Sequence, residues 1–142
     1  MPKIIIDTNV LVSSLIQTGY PFLITDFVFS DKSVELCISD DLFREYVAVV
    51  TRKKFIKYPE FILNAKNLLS DIEKYAVKYS PVVKLSLIKN QSDNKLLELA
   101  ETYNAKFLIT GNRNDFSMNK YKKTRIVSPK EFWELEINKS ND

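Results

Sequence analysis

KIIIDTN, residues 3–9, sets three consecutive isoleucines directly before an aspartate. A short apolar run of this kind is typical of a strand that is buried on both faces of a sheet. An acidic residue at the carboxyl end of such a strand lies where open α/β sheets bind their ligands. We therefore predict a first strand over residues 3–6 and expect Asp7 to face a binding site.

The remainder of the chain alternates short apolar runs with amphipathic stretches, which predicts strands that alternate with helices. The fold class expected from this order is α/β, a three-layer α-β-α sandwich with a central parallel sheet. We predict one domain over residues 1–137 and a frayed polar tail over residues 138–142. Further strands are predicted at residues 34–38, 82–88, 106–110 and 125–127, helices at residues 9–17, 22–29, 42–50, 60–77, 93–103 and from 129 onward, and an irregular polar segment at residues 111–123.

The composition limits the chemistry that the chain can perform. Its 142 residues contain no histidine, which excludes histidine relays and zinc sites built on histidine, so carboxylates must carry any hydrolytic reaction. The single cysteine, Cys37, is expected to be a small buried hydrophobic residue. The net charge of +3 permits a polyanionic partner. Because the sequence shows neither a leader-like N-terminus nor a long apolar run, we expect a cytoplasmic protein that does not associate with membranes.

Four acidic residues follow the predicted strands, and each has an alternative structural explanation. Asp7 can cap the helix that follows it, and Asp93 can interact favourably with the dipole at the start of its helix. Glu45 can be a solvated side chain one turn into the helix after the second strand, and Asp115 can be an ordinary loop residue. Together they favour a site, because the carboxyl ends of parallel strands open on one edge of a sheet.

Clustered carboxylates must hold protons or recruit a cation, because like charges repel. Ligands that are all oxygen atoms favour Mg²⁺ or Mn²⁺. Such a cage suits phosphodiester hydrolysis, since one ion lowers the pKa of a bound water molecule and a second can stabilise the leaving oxygen. Four polar residues beside the acids are predicted to orient the carboxylates or the water, namely Thr8, Asn9, Thr110 and Asn112.

Four segments in this order resemble the PIN domain family, and the nearest likeness is to the branch of toxins from bacterial toxin–antitoxin pairs. They are DTNVL at residues 7–11, Glu45 in the helix after the second strand, DNKLLELA at residues 93–100, and FLITGN at residues 107–112. The resemblance covers nearly the whole chain. It implies a PIN-like fold and an endoribonuclease that depends on one or two Mg²⁺ or Mn²⁺ ions. Asp7, Glu45 and Asp93 match the three acidic positions that most members carry.

The chain departs from the family pattern at two positions. Many relatives carry an aspartate directly after the Thr-Gly pair, where this chain has Asn112, so Asp115 becomes the candidate for the fourth catalytic and metal-binding acid. An acid is also common shortly before the position of Asp93, where this chain has Asn90. These departures leave open a lower metal affinity, a site that substrate phosphates complete, or a loss of activity.

Two basic clusters that interleave aromatic residues are candidates for RNA binding. The first comprises Arg52, Lys53, Lys54 and Lys57 with Phe55 and Tyr58, and the second comprises Lys120, Lys122, Lys123 and Arg125 with Tyr121. Aromatic rings of this kind can stack on unpaired bases, so we expect single-stranded or loop RNA as the substrate. The second cluster is preferred because it follows the loop that bears Asp115. A solvated basic surface is the alternative for each cluster.

The resemblance also bears on partners and on competing functions. The toxin branch implies a small antitoxin protein that occludes the site, and a homodimer. A phosphatase of the haloacid dehalogenase type also begins with an aspartate after its first strand, but its Asp-x-Asp-x-Thr signature needs Asp and Thr where this chain has Asn9 and Leu11. A catalytically weakened PIN-like module that binds RNA or protein is the stronger alternative.

Overall fold

A single sheet built around the triple-isoleucine strand organises the molecule. The computed structural model describes residues 1–31, 33–82, 84–85, 91–116 and 118–137, without the side chains of residues 91 and 92. Within these residues the strands are β1 Lys3–Ile6, β2 Glu35–Ile38, β3 Val77–Lys78, β4 Phe107–Ile109, β5 Lys120–Tyr121 and β6 Thr124–Val127. Their order across the sheet is β3-β2-β1-β4-β6-β5. All neighbouring pairs are parallel except β5 with β6, which is antiparallel.

Helices cover both faces of this sheet. In the described residues they are α1 Thr8–Ile16, α2 Tyr20–Ser30, α3 Asp40–Val50, α4 Pro59–Tyr75, α5 Gln91–Tyr103 and α6 Pro129–Phe132. The chain crosses the sheet in one direction from β1 through β2 to β3, and returns in the other direction from β3 to β4. Because parallel crossovers are right-handed, α1 to α4 lie on one face and α5 lies on the other. The predicted α-β-α sandwich is confirmed.

β1 occupies the centre of the core because both of its neighbours are parallel strands. Ile4, Ile5 and Ile6 are fully buried. In β4, Leu108 is also fully buried and Phe107 is almost fully buried. Burying one such side chain contributes about 1.5–3 kcal/mol relative to leaving it exposed. A continuous apolar run is the pattern that this two-sided burial requires, which is why residues 3–9 were sufficient to place the strand.

Local capping residues fix where two of the helices start. The Ser39 hydroxyl accepts a hydrogen bond from the Leu42 backbone at 3.0 Å and so begins α3 directly after β2. Ser128 and Glu131 form a capping box at the start of α6, with Pro129 at its first position. The starts of these helices are thereby tied to the carboxyl ends of β2 and β6.

The structure differs from the predicted elements at the sheet edges. The helix predicted over residues 60–77 ends at Tyr75, and Val77–Lys78 pairs with β2 as the edge strand β3. Residues 82, 84 and 85 of the strand predicted at 82–88 are not in a strand, and the rest of that range lies outside the described residues. The segment predicted to be irregular contains β5, so the sheet is mixed rather than wholly parallel. Two-residue strands carry too little pattern to be recognised from periodicity.

Three other expectations can be compared with the structure. Cys37 is fully buried, as predicted. In the described part of the chain, no helix combines the length and apolar composition needed to cross a bilayer. The predicted tail at residues 138–142 lies outside the described residues, as do Asn90 and the loop around it.

Candidate active site

The carboxyl ends of β1 and β4 lie side by side and bring Asp7 next to Thr110. The Asp7 backbone N–H donates to the Ile109 carbonyl at 2.9 Å, which extends the ladder between the two strands by one residue. The Thr110 hydroxyl then donates to Asp7 Oδ2 at 2.8 Å. Thr110 is fully buried and also accepts the Asn112 N–H at 3.1 Å. The predicted placement of an acid at this edge of the sheet follows directly from the strand register.

The surroundings of Asp7 disfavour the charged form of its carboxylate. It occupies the N-cap position of α1, but its side chain makes no capping hydrogen bond, so the capping explanation is not observed. Its side chain is 8% exposed. The pKa of Asp7 is raised to about 6, chiefly by burial and to a smaller degree by the charges of Asp93 and Glu45, while hydrogen bonds from Thr110 and the Thr8 backbone oppose the increase.

Glu45 reaches the site from α3 and is oriented by α1. The Thr8 hydroxyl donates a hydrogen bond to Glu45 Oε2. The next residue, Tyr46, is fully buried, and its hydroxyl donates to the Ile6 carbonyl at the end of β1. These two contacts attach α3 to the strand end that bears Asp7, so Glu45 is held beside it rather than solvated.

Asp93 is the most distinctive residue of the site. Its side chain is 7% exposed at the start of α5, and Oδ2 is buried without a hydrogen-bond partner among the described residues. Burial raises the pKa of Asp93, and the negative charges of Asp115 and Glu45 raise it further. Buried polar atoms are almost always hydrogen-bonded, so an orphaned carboxylate oxygen requires an explanation beyond the fold.

Asp115 lies on a short 3-10 turn, Arg113–Asp115, that follows β4. Its side chain is exposed, yet it is close enough to raise the pKa of Asp93 electrostatically. The Arg113 guanidinium anchors the turn by donating to Glu131 at 3.0 Å and to Asn119 at 2.6 Å. The turn therefore brings Asp115 to the same edge of the sheet as the other three acids.

A second contact attaches the loop after β4 to the loop after β1. Asn9 Oδ1 accepts the Gly111 N–H at 3.0 Å, while Asn9 Nδ2 lies 3.4 Å from Asp7 Oδ2. A Cβ atom at residue 111 would lie 3.2 Å from Asn9 Oδ1, so this close approach favours glycine. Asn112 is exposed and its backbone, rather than its side chain, makes the contacts that fix it.

Asp7, Glu45, Asp93 and Asp115 form the acidic set. Charge repulsion links Asp7 with Asp93 and Glu45, and Asp93 with Glu45 and Asp115. Among the residues that the structure describes, no three acidic or cysteine side chains converge closely enough to enclose a metal ion. The acidic set is thus a group of neighbouring charges rather than a closed ligand cage. Its oxygen-only donors and the unpartnered Asp93 Oδ2 nevertheless fit a hard divalent cation.

The structure places the second basic cluster away from the acidic set. Lys120 pairs with Arg125, and Arg125 pairs with Phe107 at the start of β4, so the β5–β6 hairpin points toward the amino ends of the parallel strands. Thr124 is three residues from the carboxyl end of β6, or about 10 Å along the strand. Lys122 and Lys123 are farther still, so proximity to Asp115 in sequence was a wrong reason for preferring this cluster.

The first basic cluster also lies at a distance from the acidic set. Its first member, Arg52, comes after the end of α3 and is twelve residues beyond Asp40, where the helix starts beside the site. Phe55 is buried and stacks on Phe61 with ring centroids 4.0 Å apart, so the expectation that it stacks on RNA bases was wrong. Tyr58 is 53% exposed. The cationic side chains Arg52 and Lys53 are exposed, and their role in RNA binding stays a prediction.

Sequence reasoning missed two residues that belong to the architecture of the site. Tyr46 lies at helical spacing with the buried residues Leu42 and Val50 of α3, which indicates only a core position, although a buried tyrosine usually finds a partner for its hydroxyl. Lys95 lines a cleft together with Glu45. The position of Lys95 two residues after Asp93 gave no indication that Lys95 lies near Glu45, because residues two apart on a helix point in different directions.

Comparison with known proteins places the chain in a family. The sequence profile of the PIN domain matches residues 3–114, and the chain belongs to the PIN domain family. The match includes Asp7, Glu45 and Asp93 and ends one residue before Asp115. An uncharacterized protein of Methanocaldococcus jannaschii, MJ1680, is 30% identical over 141 residues, which cover 93% of this chain and 90% of that protein.

Family membership sets the general function. PIN domains are generally metal-dependent nucleases, so membership indicates a nuclease-type function for this chain. It also favours the nuclease interpretation over the phosphatase alternative, which depended on a signature that Asn9 and Leu11 do not match. The similarity to MJ1680 extends beyond residue 114, but that protein is itself uncharacterized and indicates no activity for this chain.

Proposed function

We propose that this chain is a Mg²⁺- or Mn²⁺-dependent endoribonuclease that hydrolyses phosphodiester bonds of single-stranded or loop RNA. The observation that carries the proposal is the carboxylate of Asp93. One of its oxygens is buried without a hydrogen-bond partner among the described residues, and three other acids surround it. A buried carboxylate oxygen without a protein partner is tolerated when a ligand outside the chain, such as a cation, binds to it.

The acidic residues have distinct roles in this proposal. Asp7, Glu45 and Asp93 would hold the metal, and Asp115 would act as the fourth acid in place of an aspartate at Asn112. When bound, one or two ions supply activation of a water molecule and stabilisation of the charge that develops on the phosphate. Thr110 would keep Asp7 Oδ2 in position through its 2.8 Å hydrogen bond, and Thr8 would do the same for Glu45.

Protonation connects these roles to pH. With a pKa of about 6, Asp7 is largely ionised at pH 7 and above, and increasingly protonated below pH 6. A protonated carboxyl is a poor ligand for a hard cation, so activity should rise as pH increases through 6. Histidine, which usually provides such a pH response, is absent from the chain.

The biological role that we propose is the toxin of a type II toxin–antitoxin pair, active in the cytoplasm. A small antitoxin protein would occlude the acidic set, and the toxin would form a homodimer. The resemblance to the toxin branch supports this part of the proposal. Co-expression with the product of a short neighbouring reading frame, followed by co-purification and inhibition of RNA cleavage, would test it.

The enzymatic proposal is tested by incubating the purified protein with single-stranded and hairpin RNA in Mg²⁺, in Mn²⁺ and in EDTA. We expect cleavage within the single-stranded regions that requires the metal and that is lost in Asp7→Asn. Asp31→Asn, an exposed acid before β2, is the matched control and should cleave normally. Cleavage that persists in EDTA or in Asp7→Asn would rule out the proposed chemistry.

A second function is favoured by Asn112 and by the exposure of Asp115, which leave the fourth acidic position weakly defined. The chain would then be a PIN-like module that binds RNA or a protein without cutting RNA. Titration with Mn²⁺ separates the two. A nuclease should bind Mn²⁺ and lose this binding in Asp93→Asn, whereas a binding module should retain RNA equally well with or without metal.

A further inference from the structure

A narrow cleft runs between α3 and α5 beside the acidic set. Glu45 lines it from α3, and Lys95 lines it from the first turns of α5. The remaining wall consists of Ser39, Asp41, Leu42, Leu96 and Leu99. Of its two carboxylates, Asp41 is paired with Arg44, so the cleft brings one member of the acidic set, Glu45, together with one cation, Lys95.

Lys95 differs from the other cations on the elements that carry Glu45, Asp93 and Asp115. Of the described cations on α3, α5 and the Arg113–Asp115 turn, Arg44 pairs with Asp41 at 2.9 Å, and Arg113 pairs with Glu131 at 3.0 Å. Lys95 is exposed and makes no ion pair with any residue that the structure describes. Its charge is available to a ligand, whereas theirs is directed toward neighbouring carboxylates.

The helix geometry separates Lys95 from the nearest acid on its own element. Asp93 is two residues earlier, and residues two apart on an α-helix do not face each other. Asp93 is buried at the helix start, while Lys95 is directed into the cleft shared with Glu45. Lys95 thus does not neutralise Asp93 by direct contact.

A nucleic acid substrate creates a need for such a cation. Every phosphate of an RNA strand is negatively charged, and four carboxylates at the site repel it. Both sequence-predicted basic clusters lie away from the acidic set, so neither can offset this repulsion at close range. A cation at the rim of the acidic set would add to the bound metal ions in holding the strand where it can be cut.

We propose that Lys95 binds a backbone phosphate of the substrate strand in the α3–α5 cleft, immediately beside the acidic set. This inference rests on the proposed function, because it takes a nucleic acid as the substrate. Lys95 contacts a phosphate rather than a base, so it increases affinity for all sequences to a similar degree. It is a substrate-binding residue and not a metal ligand.

The test is binding of a fluorescent single-stranded oligoribonucleotide in EDTA, which prevents metal-dependent cleavage, over a range of salt concentrations. Lys95→Met should weaken binding about tenfold for oligonucleotides of different sequence and reduce the slope of log K against log salt by about 0.7. Lys95→Arg should restore both. Lys74→Met, an exposed lysine in the last turn of α4 just before the amino end of β3, is the matched control and should change neither.

The outcomes separate this inference from the proposed function. If the protein binds RNA through Lys95 but never cleaves it, the phosphate site stands and the nuclease proposal fails. If the protein cleaves RNA and Lys95→Met leaves the salt slope unchanged, the phosphate site is overturned and the nuclease proposal stands. A change in slope for Lys74→Met equal to that for Lys95→Met, or no measurable binding by the unaltered protein, would also overturn the phosphate site.

Discussion

The two edges of the sheet hold acidic side chains in opposite ways. At the amino ends of the strands, Glu35 accepts a hydrogen bond from the Tyr103 hydroxyl at 2.5 Å, and Glu101 pairs with Lys122. At the carboxyl ends, Asp7 and Asp93 are buried beside other acids, and no cation pairs with either among the described residues. Acids occur at both edges, but among the described residues the buried acids without a pairing cation, Asp7 and Asp93, both lie at the carboxyl edge.

This difference distinguishes a structural carboxylate from a functional one. A paired acid contributes to stability or is neutral, whereas a buried acid among like charges costs free energy in the folded state. Such a cost is retained where the charge is needed for binding or catalysis. Substitutions that compare equivalent residues at the two edges therefore test the functional assignment.

The largest effect is expected for Asp7→Asn. Cleavage should fall by more than about a hundredfold, since even residues that only support metal ligands typically cost about 10–100-fold. Stability should increase. The pKa of Asp7 is raised from 3.8 to about 6, so ionising it costs about 3 kcal/mol of folding free energy at pH above 6, and the cost disappears as pH falls below 4.

Urea unfolding at pH 8 and pH 4 measures this effect. Asp7→Asn should be more stable than the unaltered protein at pH 8 and equal to it at pH 4. The matched control is Glu35→Gln at the amino edge, which should lose about 1 kcal/mol through its weaker hydrogen bond with Tyr103 and leave cleavage intact. A destabilised Asp7→Asn at pH 8 would contradict the contrast between the edges.

The next effect is stabilisation by metal. Mg²⁺ or Mn²⁺ at about a hundred times its dissociation constant should increase the free energy of unfolding by about 2.7 kcal/mol. The gain should be larger at pH 8 than at pH 5, because protons compete for Asp7 below its pKa of about 6. Thermal unfolding with and without metal measures it. An equal gain in Asp93→Asn would show that the ion binds elsewhere.

A smaller effect on activity is expected for Thr110→Val. The substitution removes the donor to Asp7 Oδ2 and the acceptor of the Asn112 N–H. Cleavage should fall about 10–100-fold. Because the Thr110 hydrogen bond lowers the pKa of Asp7, its loss should raise that pKa and move the acidic limb of the pH–rate profile upward.

Thr124→Val provides a control at the opposite edge. Thr124 is also a buried strand residue, and its hydroxyl donates to the Ala105 carbonyl at 2.6 Å. Both variants should lose about 1–2 kcal/mol of stability through an unpaired buried group. Only Thr110→Val should change cleavage and its pH profile. Equal loss of cleavage in both would reduce the role of Thr110 to general stability.

The sequence was sufficient to predict the fold and the direction in which the acids point. Three consecutive isoleucines favour a doubly buried strand, and in a parallel sheet the strand ends that bear Asp7 and Thr110 open on the same edge. That these two ends are neighbours follows from the pairing of β1 with β4. α3 begins at Asp40, two residues before the predicted start at residue 42, because the Ser39 hydroxyl caps the helix. These features depend on local pattern and on rules that hold for all parallel sheets.

What could not be predicted depends on register and on contacts between distant segments. The basic hairpin follows Asp115 closely in sequence, yet antiparallel pairing of β5 with β6 sends Lys122 toward the opposite edge. Phe55 looked available for RNA because its burial arises from Phe61 in another element. Lys95 escaped notice because its cleft is formed with α3, about fifty residues earlier in the chain.

The smallest effect is expected for Lys122→Met in the basic hairpin. Lys122 is exposed and pairs with Glu101, and surface ion pairs of this kind contribute little to stability. RNA cleavage and its salt dependence should remain unchanged, because the hairpin lies at the amino edge of the sheet. Single-turnover cleavage at low and moderate salt measures both. A weaker salt dependence in Lys122→Met would show that RNA also contacts the hairpin. The amino edge of the sheet would then take part in RNA binding together with the carboxyl edge that bears the acidic set.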